Sequence, residues 1–500
     1  MNEPAVPAQP LFRKVLIANR GEIAVRIART LRAMGIASAA IHHRAERDAR
    51  HARVAGEAHE IAGDTPVAAH LDADQIVAIA RACGADAIHP GYGFLSENAA
   101  FARKVAAAGL VFIGPDAATI ELMGDKISAR DFAAAHGVPV APSVRAGEDL
   151  EAFVAAAEAT GFPLLIKAAA GGGGKGMSVV RDAAELRARA QIAASEAQRY
   201  FGDGRIYAET YVGRPRHIEV QVLGDGNGGA IHLFERECSI QRRFQKVIEE
   251  APAAPLPEPT RAAIRDAAVR LAAAARYGNA GTVEFILGAD GRFFFLEMNT
   301  RLQVEHPVTE MICGIDLVRV QIEIAAGRGL PFAQGAARAS GHAIECRICA
   351  EDPDNNFLPA TGPVRLLRVP AGPHLRFENA LDEGQRVTAD FDPMLAKLVA
   401  WGETRAAAIA RMIAALRELT ILGVRTNVDY LARVLATEAF RAGAIHTGFI
   451  AEHAAVLAPP ALDPLVRDRA LIAAALGQRG FRDAIATVDE PYASMGGWRN

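Results

Sequence analysis

Glu284, Glu297 and Asn299 stand on two short apolar runs in the stretch GTVEFILGADGRFFFLEMNTRLQVEHPVTE, residues 281–310. Two carboxylates and an amide oxygen are hard donors of the kind that hold Mg2+ against substrate phosphates. Arg301, Gln303, Glu305 and His306 follow at once, a dense polar run directly after a hydrophobic segment. Such groups resist burial unless a ligand or a partner satisfies them. Two strand glutamates alone would be read as solvated surface charge. Here the neighbouring polar cluster and a separate glycine-rich loop favour a site.

The elements that must position these groups follow from the pattern. Two alternating runs flank Gly288-Ala289-Asp290-Gly291, which predicts a β-hairpin. With a period of two, Val283, Phe285 and Leu287 share one face and Glu284 takes the other. On the return strand Phe294, Leu296 and Met298 are expected together, opposite Glu297 and Asn299. Upstream, a strand ending in Lys167 runs into AAAGGGGKG (168–176). Consecutive glycines let backbone N–H groups approach an anion closely and leave a loop free to move. Gly176 follows Lys175 where a P-loop needs Ser or Thr, so the loop reads as a phosphate-covering flap and not a Walker motif.

The 500 residues exceed one ordinary core, and two to four lobes are expected. A formal net charge of -3, with no basic run, gives no footprint for nucleic acid. No apolar stretch approaches the roughly 18 uncharged residues of a spanning helix, so no membrane is expected. The leader MNEPAVPAQP lacks a basic and an apolar region, so residues 1–12 read as disordered and the protein as cytoplasmic. The five cysteines are scattered and odd in number, which suits a reducing compartment. Cys346 and Cys349 form a lone CxxC in a strand pattern that aims them to opposite faces, against a metal or redox role.

Along the chain, residues 13–125 alternate strands and alanine-rich helices, which predicts a doubly wound, mostly parallel sheet. Its first turn, Asn19-Arg20-Gly21-Glu22, lacks a dinucleotide fingerprint. A core domain at 126–330 carries a small mobile lobe at about 146–213, and antiparallel strands follow from 214. A mixed α+β lobe at 331–455 precedes a tail at 456–500, with a helical run near Leu465 to Leu476.

Over residues 13 to 455 the motifs IANRGEIAVRI, HPGYGFLSEN, MGDK, IKAAAGGGGKGM, PRHIEVQV, ERECSIQRRFQKVIEEAP, FLEMNTRLQVEHPVTE, ECRICAEDP and FDPMLAKL occur in order. In these the chain resembles the biotin carboxylase component of biotin-dependent carboxylases, an ATP-grasp fold. The resemblance implies an α/β protein with an N-terminal parallel-sheet domain, an ATP-grasp lid and core, and a C-terminal α+β domain. It implies an ATP-dependent ligase that activates bicarbonate as carboxyphosphate and carboxylates biotin on a carrier protein.

By the same resemblance, Lys126, Lys167, Gly173 and Gly174 contact nucleotide phosphates, and Glu209, Thr210, Tyr211 and Val212 form the adenine hinge. His217 and Gln241 match further nucleotide contacts, and Glu284, Glu297 and Asn299 the Mg2+ or Mn2+ ligands. Arg301, Gln303, Val304 and Lys246 resemble a bicarbonate cradle, Glu305 the base, and Arg347 the cation that stabilises the biotin enolate. Two positions depart from the pattern: Phe244 stands where the family carries His or Asn for the ribose, and Cys349 replaces a common Asn. The implied partners are a biotinylated carrier, a carboxyltransferase subunit and a second copy of the chain. No Ala-Met-Lys-Met biotinylation sequence occurs in these residues, so a separate carrier or a shortened chain is expected. Two rivals are a carbamoyl-phosphate-forming ligase, which has no need of Arg347, and a non-catalytic nucleotide-binding subunit, against which Lys246, Arg301 and Glu305 argue.

Overall fold

Hydrophobic runs bounded by turn residues build the first layer. A computed structural model describes residues 11–146, 149–169, 177–461 and 463–478. Strands β1 (Lys14–Ile17), β2 (Ala37–His43), β3 (Glu57–Ile61), β4 (Ala87–His89) and β5 (Val111–Phe112) form a parallel sheet in the order β3-β2-β1-β4-β5. Helix α1 (Gly21–Ala33) fills one face with Ile23, Ile27 and Leu31 against Val15 and Ile17, while Leu16, Ile41 and Ile88 pack on the other. Two cores on opposite faces are what double winding requires. Phe12, assigned to the leader by sequence, is buried in the first of them. The edge strand β3, EAHEI, escaped the sequence reading because only its last residue is fully buried.

The lid follows: β6 (Ser143–Arg145), β7 (Leu164–Ala168), β8 (Ser178–Val180) and β9 (Ile206–Thr210) make an antiparallel sheet in the order β6-β9-β7-β8. Its helix over Ala183–Phe201 starts where the Asp182 carboxylate accepts the Ala184 and Glu185 N–H groups, and ends at Gly202 with φ +71°. Gly173 and Gly174 of the expected flap lie outside the described residues.

The largest element is an eight-stranded antiparallel sheet. It contains β10 (Arg216–Asp225), β11 (Ala230–Arg242), β12 (Gln245–Ala251), β13 (Gly278–Leu287), β14 (Phe293–Asn299), β15 (His342–Cys349), β16 (Leu375–Asn379) and β17 (Met394–Gly402). The order is β14-β13-β10-β11-β12-β15-β17-β16, so the sheet runs without a break past the boundary expected near residue 330. Helix α2 (Glu258–Ala274) covers one end through Ile264, Ala268 and Leu271 against Val220, Val283 and Phe285. Helices α3 (His306–Cys313) and α4 (Leu317–Ala325) lead from the sheet to the N-terminal layer, and α5 (Arg405–Glu418) packs on β15 and β17.

The predicted hairpin forms, with one correction. A β-bulge shifts the register of β13 and β14 between Glu284 and Phe285, so that Glu284 faces Glu297 while Phe285 faces Phe295. One extra residue reverses the alternation beyond it. Phe295 and Met298 therefore share the core face with Val283 and Phe285, and Phe294 and Leu296 turn to the cleft instead of joining Met298. Residues through 457 form one compact unit; in the second, from 458, the described helix Pro464–Gln478 exposes Leu465, Val466, Leu471 and Ile472. Among the described residues no helix is long and apolar enough to cross a membrane.

Candidate active site

Strand register assembles the charged floor of the cleft. Glu219 on β10 lies opposite Glu284 on β13, and Glu284 opposite Glu297 on β14, so three carboxylates stand in a row across adjacent strands. Arg236 on β11 extends the row beside Glu219 and bonds its carboxylate. Because cross-strand partners project from the same face, the polar groups converge while Val220, Val283 and Phe285 fill the core behind them. One cleft is lined by Lys126, Lys167, Glu209, Thr210, Tyr211, Val212, His217, Gln241, Phe244, Lys246, Glu284, Glu297, Asn299, Arg301, Gln303, Val304, Glu305 and Arg347. These are all the site residues expected from sequence that fall among the described residues.

Lys246 is the hub. Its Nζ lies 2.6 Å from Glu219, 2.8 Å from Glu284 and 2.6 Å from Glu305. Burial alone would lower its pKa; the three carboxylates overcome this and hold it well above the usual lysine range. Burial likewise pushes Glu305 up, but Lys246, Arg347 and Arg236 outweigh it and hold the carboxyl far below the usual range. Arg347 donates through Nε to Glu249 at 2.5 Å and through NH2 to Glu305 at 3.0 Å. Arg301 donates to Glu97 at 2.7 Å and to the Asn299 Oδ1 at 2.8 Å. Gln303 Nε2 donates to Glu284 at 2.7 Å.

At the other end of the cleft, Lys167 is buried and pairs with Glu209 at 2.5 Å. Burial lowers its pKa and Glu209 only partly restores it. Arg130 takes the other Glu209 oxygen at 2.8 Å, so this side chain anchors cations while Thr210, Tyr211 and Val212 face the cleft. His217 receives a Gln241 amide N–H at Nδ1, 3.0 Å, and reaches Glu284 through Nε2, also 3.0 Å. Phe244 sits in the two-residue turn between β11 and β12, where both Arg243 and Phe244 have positive φ. Cys349 lines the same cleft while Cys346 is in the core, the opposite placement that the strand pattern predicted.

The donors fit a divalent cation. Glu284 is held well below the ordinary carboxylate range, burial being overcome by Lys246 and His217, so it is ionised. Glu297 faces it directly, and among the described residues its one ion pair is with Lys126, at 3.6 Å. The amide of Asn299 contacts Glu284 at 3.0 Å. Opposed carboxylates and an amide on neighbouring strand positions make the oxygen-rich set that Mg2+ takes.

Several functional groups were missed by sequence. Glu219 stands two residues after His217 on the same strand face, so the period that placed Glu284 would have found it. Glu97, Glu249 and Lys397 lie within the motifs HPGYGFLSEN, ERECSIQRRFQKVIEEAP and FDPMLAKL, but no local pattern gives their partners: the first reaches Arg301 and the second Arg347, each across a long stretch of chain. Lys397, fully buried, donates to the Val304 carbonyl at 2.8 Å and lies 3.1 Å from Glu22.

Comparison with known proteins agrees with this geometry. The chain matches the family descriptions "Biotin carboxylase, N-terminal domain" over residues 11–120, "Carbamoyl-phosphate synthase L chain, ATP binding domain" over 125–333 and "Biotin carboxylase C-terminal domain" over 345–452. A biotin carboxylase of Halalkalibacterium halodurans is 49% identical over 445 residues, covering 89% of this chain and 98% of that protein. The mitochondrial methylcrotonoyl-CoA carboxylase subunit alpha of Rattus norvegicus is 46% identical over 448 residues, 89% of this chain; the chain spans 63% of that relative's length. The biotin carboxylase domain dimer of Hydrogenobacter thermophilus 2-oxoglutarate carboxylase, solved with MgADP, ADP and bicarbonate, superposes with a TM-score of 0.87 at 44% identity, covering 90% of this chain and 99% of that one. Three consecutive family matches, together with the near-complete overlap with a whole relative, establish that the chain belongs to the biotin carboxylase family.

Proposed function

We propose that this chain carries out the ATP-dependent carboxylation of biotin, the first half-reaction of an acyl-CoA carboxylase. The observation that carries the reading is Glu305, clamped between Lys246 and Arg347 at the end of the carboxylate row. A base for bicarbonate and a cation for biotin are thereby held on one carboxyl group. A carbamoyl-phosphate-forming ligase has no use for the second.

Lys126 and Lys167 line the nucleotide end and would neutralise the phosphates of ATP. Glu284, Glu297 and Asn299 would hold a Mg2+ or Mn2+ ion, whose positive charge would offset the negative charge that develops during phosphoryl transfer. Arg301, Gln303, the Val304 backbone and Lys246 offer donors that fix the plane of bicarbonate. Glu305 is ionised in the free protein and accepts the bicarbonate proton as that oxygen attacks the γ-phosphorus, releasing ADP and leaving carboxyphosphate. The basicity of Glu305 rises as Lys246 turns from it toward the anionic substrate, since its low pKa depends on that contact. Carboxyphosphate breaks into CO2 and a phosphate trianion, the phosphate takes the proton from N1 of biotin, and N1 adds to CO2. Arg347 offsets the negative charge on the ureido oxygen.

The decisive experiment is bicarbonate-dependent ATP hydrolysis with and without free biotin. Stimulation by biotin is expected; bicarbonate-independent turnover, or none, overturns the reading. In the same reading biotin arrives on a carrier protein, a carboxyltransferase takes the carboxyl group onward, and two copies of the chain pair as in the Hydrogenobacter dimer. The cytoplasm is the proposed location.

A further inference from the structure

Two buried glutamates stand behind Arg347, and among the described residues only one of them is in an ion pair. Glu249 on β12 and Glu345 on β15 are directly opposed in the antiparallel register, so their side chains leave the sheet on one face as immediate neighbours. Neither has any exposed surface. Glu249 gives one oxygen to Arg347 Nε at 2.5 Å; its other oxygen, and both oxygens of Glu345, have no hydrogen-bond partner among the described residues.

Their surroundings change character along the strands. Two residues further on the same face lie Ala251 and Ala343, packed with Val308 and Ile312 of α3 and with Val399 of β17. On the other side stand Arg347 and, opposite it on β17, Lys397. The pair thus sits on the seam between an apolar patch and the catalytic charges. The charged groups that act on it are Arg347 and Lys397 from the flanking strands, Lys246 on its own strand β12, and Glu305 at the foot of α3. Lys397 is already committed to Glu22 and the Val304 carbonyl.

Two adjacent carboxylates without full pairing cannot both stay ionised in a site from which water is excluded. The proton belongs on Glu345, because Glu249 has the guanidinium and Glu345 has none. Resting on the reading above, we propose that Glu345 is a neutral carboxylic acid that donates to the free oxygen of Glu249, so that Glu249 remains an anion and positions Arg347. The need arises in turnover. Once Glu305 has taken the bicarbonate proton it no longer holds Arg347 by charge, and Glu249 is the remaining anion bonded to that guanidinium. Burial pushes Glu249 up to about 7, with Arg347 opposing, so its anion has little margin at neutral pH and each donor to its carboxylate counts.

The test is the pH profile of kcat for carboxylation of free biotin by the full chain, alongside KM for ATP. Glu345→Leu removes the donor and keeps the site neutral. Its acid limb is expected to move up by about one pH unit or more, with activity reduced at least about fivefold at pH 7 and regained at pH 9, and KM for ATP unchanged. Glu345→Gln retains an uncharged donor and is expected to keep the wild-type profile, whereas Glu249→Gln lowers kcat at every pH. A wild-type profile in Glu345→Leu, or a loss there that is the same at every pH, overturns the proposal. So does an altered profile in Glu345→Gln, the deciding variant should the leucine form fail to fold. Absence of biotin carboxylation in the wild-type chain would instead count against the assigned reaction.

Discussion

Glu305 and Phe244 show how differently two residues of one cleft bear on rate. Glu305 pairs with both Lys246 and Arg347 and can accept a proton. Glu305→Gln is expected to abolish bicarbonate-dependent ATP turnover while nucleotide binding survives, because only the base is removed. Undiminished turnover at saturating bicarbonate would remove Glu305 from the mechanism. Phe244 is 55% exposed and at φ +65°, in a turn whose geometry suits glycine, asparagine or histidine better than phenylalanine. Phe244→His restores a hydrogen-bonding group at the nucleotide cleft and eases the backbone. A hydrogen bond of about 0.5 to 1.5 kcal/mol corresponds to a several-fold lower KM for ATP with kcat little changed. An unchanged or higher KM would place Phe244 away from the ribose.

At the scale of elements, the row Glu219, Glu284 and Glu297 exists because β10, β13 and β14 are neighbours in register, and backbone closeness is what permits that register. Gly224, near the end of β10, illustrates the constraint: a Cβ there would lie 2.0 Å from the carbonyl oxygen of Tyr277. The obstacle is backbone, which cannot rotate aside. Gly224→Ala is expected to cost about 1–3 kcal/mol and to lower the melting temperature measurably; an unchanged melting curve would show that β10 and β13 tolerate separation at that end. Nothing in the sequence marks Gly224 as close-packed, whereas the hairpin carrying Glu284 and Glu297 was legible from its turn and its period. The bulge that moves Phe294 and Leu296 into the cleft was not legible, since an inserted residue leaves the composition of a strand unaltered and changes only its phase. The parallel layer was readable from β1, β2 and β4, which are buried runs, but not from β3, which shows water most of its residues. Long-range partners such as Glu97 for Arg301 depend on which layers meet, and local pattern contains no term for that.

The molecule as a whole buries more ionisable groups than its catalytic row, and these tie its stability to pH. His51 is 1% exposed, neither ring nitrogen has a hydrogen-bond partner among the described residues, and burial pushes it down to about 4, with Glu46 opposing and Arg20, His70 and His42 reinforcing the shift. Since its pKa in the folded protein lies below that in the unfolded chain, the unfolded state binds the proton first as pH falls. The stability held above about pH 6.5 is therefore lost progressively down to about pH 4, at up to about 1.4 kcal/mol per pH unit for one such proton. Glu46 has the opposite chemistry but the same sign: His70 and Arg20 hold it down at about 2 against burial, so its contribution is present above about pH 4.5 and fades below it. The two groups thus act in successive windows, the histidine first. His51→Leu, which fills the site without a titratable ring, is expected to lose less stability between pH 6.5 and 5 than the wild type, by up to about 2 kcal/mol. Urea unfolding of the full chain at both pH values measures this difference directly. Equal losses in the two proteins would mean that His51 gains a proton in the folded state as readily as in the unfolded chain.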